Sequence, residues 1–78
     1  MDYKYQYKVT FYFDEGMNDE YKIKSNVEEE DFIEEISKGF NEKSYYTFTE
    51  TEDYTTVLIR TKDVYKVVID QEFILFDK

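Results

Sequence analysis

An α+β fold of two layers, with one helix packed on one face of a mainly antiparallel sheet, is predicted by three observations. Tyr3, Tyr5, Tyr7, Val9, Phe11 and Phe13 recur at every second position, the mark of a strand buried on one side. Phe32, Ile33, Ile36 and Phe40 recur instead at helical spacing. Residues 45–50, 55–61 and 64–70 alternate or are rich in β-branched side chains, and polar turn residues separate them. The element order is therefore β-β-α-β-β-β.

Each element has its own local reasons. After the first strand, residues 14–19 break the alternation around Gly16, which can adopt positive φ, and Tyr21 and Ile23 resume it with Lys22 and Lys24 outward. That pattern predicts a hairpin. Ser25 and Glu28 have capping-box spacing, and the acidic run Glu28, Glu29, Glu30 and Asp31 suits the positive end of a helix dipole. A helix over residues 27–40 follows, with Gly39 and Asn41 marking its end.

Tyr46 and Phe48 are the inward residues of the next strand, Thr51, Glu52 and Asp53 a turn, Val57 and Ile59 the next inward pair, and Lys62 and Asp63 a second turn. From Val64 onward both faces carry apolar residues, so that strand is either central or covered on its outer face by a partner. Phe73, Ile74, Leu75 and Phe76 are apolar enough to add a last short strand beyond that order. The chain reads as one domain over residues 1–78. A β-grasp arrangement, with the helix crossing between hairpins, competes with a simple meander.

Seventy-eight residues bury roughly 60% of the surface the unfolded chain exposes, near the lower limit for independent folding. No cysteine is present to staple it, and nine Tyr and seven Phe supply the core area instead. That aromatic content also separates the chain from disordered acidic sequences. The opening residues Met1, Asp2, Tyr3 and Lys4 form no apolar h-region, so no targeting signal is expected, and the longest apolar runs fall far short of the ~20 residues that span a bilayer. A cytoplasmic location is expected.

Histidine and cysteine are both absent, which removes the commonest general base, the commonest metal ligand and the thiol nucleophile. The only glycines are Gly16 and Gly39, so no phosphate-cradling loop exists. The acidic stretch around Gly16 lacks the spacing of a calcium loop and reads as a hairpin turn. No enzyme activity, cofactor or metal is expected. Lys4, Lys8, Lys22 and Lys24 share the outer side of the first hairpin, where charge discourages edge-to-edge aggregation.

Charge is the one strong asymmetry. Residues 28–53 hold ten acidic and two basic residues, a net −8; residues 1–27 sum to −1 and residues 54–78 to 0. Glu28 and Glu29 are accounted for by helix initiation. Glu30, Asp31, Glu34 and Glu35 occupy the solvent side of the helix, away from its apolar core face, and Glu50, Glu52 and Asp53 extend the charge beyond it. From Glu28 to Glu35 the helix rises about 10 Å, and an extended Glu50 and Glu52 would lie about 7 Å apart. Rows of carboxylates at such spacings imitate a phosphate backbone.

In size, charge and one-helix-plus-sheet layout the chain is similar to small acidic inhibitors made by phages and other mobile elements. Those proteins mimic DNA and block host nucleases, glycosylases or CRISPR effectors. No motif carries the likeness, so it transfers no residues. The chain's own negative charge repels nucleic acid and anionic lipid, so no direct contact with nucleic acid or membrane is expected and a basic protein partner is. The likeness implies that this partner is a nucleic-acid-binding protein and that the host cytoplasm is the place of action. The competing expectation is a small interaction or assembly module. Its Tyr and Phe exceed one small core, and it would form a homodimer through the strand of Phe73 to Phe76.

Overall fold

A computed structural model of the chain describes residues 3–50 and 53–74. Among the described residues, five strands and one α-helix follow the predicted order: β1 (Tyr5–Phe13), β2 (Asn18–Ser25), α1 (Glu29–Glu42), β3 (Tyr45–Glu50), β4 (Thr55–Arg60) and β5 (Val64–Ile74), with a 3-10 turn at Thr61–Asp63. The strands form two antiparallel sheets, a three-stranded one in the order β2-β1-β5 and the hairpin β3-β4. The last strand returns to the first hairpin and pairs with β1, so the connectivity is not a simple meander.

β1 lies between β2 and β5, and five of its nine residues are buried. Tyr7, Val9 and Phe11 are fully enclosed. Ile23 joins them from β2, Phe32 and Ile36 from α1, and Ile59 from β4. The helix and the β3-β4 hairpin together form the second layer over this face. Tyr7 stacks on Phe32 with ring centroids 4.1 Å apart. Phe11, further along the strand, meets Phe40, Tyr46 and Phe48 at 5.8 to 6.3 Å. Large aromatic side chains let a few positions fill the space between layers.

The first hairpin turns as expected. The Gly16 amide donates to the Phe13 carbonyl at 3.0 Å, the Phe13 amide donates to Met17 at 2.8 Å, and Gly16 has φ +87°. A three-residue loop with Gly in the left-handed region is a standard hairpin closure. The Asp14 amide donates to the Asp63 carbonyl at 3.1 Å, which ties this turn to the one preceding β5.

Three local expectations change. The helix begins two residues later than the predicted residue 27. Its N-cap is Glu28, with no side-chain cap. Ser25 instead accepts a hydrogen bond from the Val27 amide at 3.0 Å, a local turn that competes with capping. The helix also continues through Gly39 and Asn41 to Glu42. Gly39 is there for another reason: a Cβ on it would lie 3.0 Å from the Tyr46 ring, so its lack of a side chain lets β3 approach the helix.

The third change concerns β5. It lies at the end of its sheet, so the apolar residues on both its faces do not reflect a central position. Register shifts between Gln6 and Tyr7 and between Tyr12 and Phe13 mark bulges at either end of its pairing with β1. The strand runs on through the first bulge to Ile74, absorbing the start of the short strand expected at residues 73–76. Leu75 and Phe76 lie outside the described residues.

Candidate partner-binding surface

The helix explains which carboxylates come together. At about 100° per residue, Phe32, Ile36 and Phe40 share one side. Glu30, Glu34, Lys38, Asp31, Glu42 and Glu35 follow one another around the other. Phe32 and Ile36 are buried, whereas Glu30, Asp31, Glu34 and Glu35 are all exposed. These four predicted residues thus share one continuous solvent-facing surface about two turns long. None of them enters an ion pair among the described residues, and the pairing of Glu34 with Lys38 that the spacing favours is not formed. No three carboxylates among the described residues converge on one point. The surface is a spread of negative charge.

The remaining predicted residues divide. Glu50 ends β3 on the same side as Tyr46 and Phe48 and is half-buried. Its charge acts on Tyr21. That phenol is pushed above its usual range first by burial, then by the Asp19 and Glu50 carboxylates. Glu50 therefore faces β2 across the hairpin and is not continuous with the helix surface. Asp53 is exposed in the β3-β4 turn, and Glu52 lies outside the described residues.

Glu35 is the link from helix to hairpin. Its carboxylate, after the larger effect of burial, helps push the Tyr46 phenol up to about 12. Glu35 and Tyr46 border an open cleft of about 540 Å³ that Lys38, Glu42, Lys43 and Thr47 also line. Glu42 is the residue that sequence reasoning missed. Gly39 and Asn41 look like a stop signal, which places Glu42 beyond the helix. In fact it sits exposed in the last turn, which holds no basic residue and where the helix dipole disfavours a carboxylate. Recognising that Gly39 makes room for an aromatic residue would have kept Glu42 on the helix.

The opposite side of the molecule has mixed character. Lys8 and Lys22 face each other across β1 and β2, as do Gln6 and Lys24. Glu72 accepts a hydrogen bond from the buried Gln6 amide at 2.9 Å and lies 3.9 Å from Lys22. The lysines there are interleaved with carboxylates, so this face has no single sign of charge.

No helix among the described residues is long and apolar enough to cross a membrane. Comparison with protein-family models, with curated proteins and with solved structures finds no match to this chain.

Proposed function

We propose that this protein is a non-enzymatic acidic binding protein that presents the outer side of α1 to a basic, nucleic-acid-binding protein and occupies the site meant for a phosphate backbone. One observation carries the reading. Glu30, Asp31, Glu34 and Glu35 are grouped and exposed, without ion pairs among the described residues, on a helix whose core contacts need none of them. Unpaired carboxylates on a rigid helix attract a basic cleft at long range and displace its counterions on contact. The phage-type inhibitors that the chain is similar to in size and charge act in this way on nucleases, glycosylases and CRISPR effectors, and an enzyme of that kind is the target proposed here.

The test is affinity capture from a cell lysate on immobilised protein, with elution by salt and by competing double-stranded DNA. Basic nucleic-acid-binding proteins should be retained by the wild type, released by DNA, and lost when Asp31, Glu34 and Glu35 are all changed to Lys. Retention of the same proteins by the folded triple variant would exclude the helix surface as the site.

A further inference from the structure

β5 is an edge strand whose second edge carries no strand among the described residues. Beside it, between the strand and the flank of α1, runs an open groove of about 280 Å³. Ile33, Ile36, Phe40, Val64, Val67 and Ile69 form its apolar lining. Ile33 is 41% exposed although it belongs to the helix's apolar face. The helix thus covers β1 but leaves one apolar shoulder of β5 open.

Natural edge strands are protected by charge, by bulges or by a covering element. β2 carries Asp19, Glu20, Lys22 and Lys24 in eight residues. β5 has bulges only where its pairing shifts, which places the extra residues at Tyr65 and Glu72. Between them the sequence Lys66-Val67-Val68-Ile69-Asp70 is regular and apolar at its centre.

We infer that this stretch pairs antiparallel with the same stretch of a second copy of the chain, about a two-fold axis through Val68. The register follows from charge and face. Lys66, Val68 and Asp70 lie on the outer face, opposite Tyr12, Thr10 and Lys8, while Val67 and Ile69 lie on the inner face, opposite Phe11 and Val9. Pairing about Val68 sets Lys66 against Asp70 of the second copy, twice by symmetry, and sets Val67 against Ile69. Directly opposed residues then share a face and are complementary in charge or apolarity. A shift of the axis to Val67 or Ile69 puts Lys66 or Asp70 against Val68, and a slip of one residue sets the charged row against the apolar one.

Asp70 is exposed and makes no ion pair among the described residues, and the Lys66 ammonium sits 4.5 Å from the centre of the Tyr12 ring. Joining two copies this way makes one six-stranded sheet and brings the two open grooves together over the seam. The pairing edge is β5 and not the acidic side of α1, so its test does not depend on the proposed acidic site.

The experiment is sedimentation velocity over a concentration series on the wild type, Lys66→Asp, Asp70→Lys, and an equimolar mixture of the two variants. The wild type should dimerise. Each variant alone sets like charges against each other twice and should weaken dimerisation by about tenfold or more. The mixture should restore it. In a mixed pair the carboxylate introduced at position 66 meets the ammonium introduced at position 70, and the native Asp70 of one chain meets the native Lys66 of the other. Circular dichroism establishes that both variants are folded, and amide exchange at residues 66–70 of the wild type should slow with rising concentration. A monomeric wild type, variants that dimerise unchanged, or a mixture that stays monomeric would each overturn the inference.

Discussion

The rings of Tyr7 and Phe32 lie parallel to within 8° at a centroid separation of 4.1 Å, and through them the first turns of the helix are fixed to the central strand. The Tyr7 hydroxyl continues past the stack and donates to the Val27 carbonyl at 2.6 Å, just ahead of the helix start. One side chain therefore holds both the helix and the segment that leads into it. Phe32→Ala empties the stack and should lower stability by about 3–5 kcal/mol. Tyr7→Phe keeps the stack but removes the hydroxyl, at a cost of about 1 kcal/mol. Urea unfolding followed by circular dichroism measures both. Equal losses from the two changes would show that the hydroxyl, not the stack, anchors the helix.

A second prediction concerns Gly39, which would ordinarily weaken a helix by about 0.8–1 kcal/mol relative to alanine. Its Cα faces Tyr46 so closely that an added methyl carbon would stand 3.0 Å from the ring. Gly39→Ala should yield little or none of the propensity gain in the wild type and the full gain in a Tyr46→Ala background. The two stability differences form a double-mutant cycle that isolates the contact. If Gly39→Ala stabilises both backgrounds equally, the close approach does not explain the glycine.

The contrast between these two contacts shows what local sequence could convey. The alternation of Tyr7, Val9 and Phe11 and the helical spacing of Phe32 and Ile36 were legible because each pattern is created within one element. The pairing of β5 with β1 was not, since nothing local to Val64 or Ile69 names its neighbour. The helix end was misplaced for a related reason: Gly39 answers to Tyr46, a residue of the next strand. For the candidate surface, the exposure of Glu30, Asp31, Glu34 and Glu35 followed from the helical period alone. The separation of Glu50 depended on how the hairpin docks against Tyr21, which only the tertiary arrangement decides.

Tyr46 also makes alkaline stability a measurable quantity. Burial, aided by Glu35, holds its phenol protonated up to about 12 in the folded chain, against about 10 when unfolded. Between those values the unfolded chain has released the proton that the folded chain retains, so stability falls as pH rises. Burial also raises Tyr7 and Tyr21, and they add to the same trend. Denaturant midpoints should be flat below about pH 9 and decline through roughly pH 10 to 12. Tyr46→Phe should make that decline shallower, and an unaltered slope would exclude Tyr46 as a contributor.

In the β3-β4 turn, Tyr54 has φ 56°, a left-handed conformation that costs a residue with a side chain about 1–2 kcal/mol, and its side chain is 83% exposed. Asparagine tolerates this region better, and little packing is lost by replacing the ring. Tyr54→Asn should raise stability by several tenths to about 1 kcal/mol, measured by thermal unfolding. A loss of stability would mean that the exposed ring makes a contact the fold depends on.

Asp31 and Glu35 are like charges one helical turn apart, a pairing that works against the fold. Glu35→Lys converts that repulsion into an attraction with the acidic residue on the N-terminal side, the favourable order. Glu35 lies beyond the first turn, so the change gives up little interaction with the helix dipole. The variant should gain at most about 0.5 kcal/mol at low ionic strength, because the new ammonium also faces Lys38 three residues on, a rise of no more than about 2–4 °C in melting temperature. Most of that gain should vanish near about 1 M salt, where charges on an exposed surface are screened. The same substitution should weaken binding of a basic partner. Opposite signs for stability and binding would identify Glu35 as a residue kept for recognition at the expense of the fold. A variant that is both more stable and equally well bound would place recognition elsewhere on the molecule.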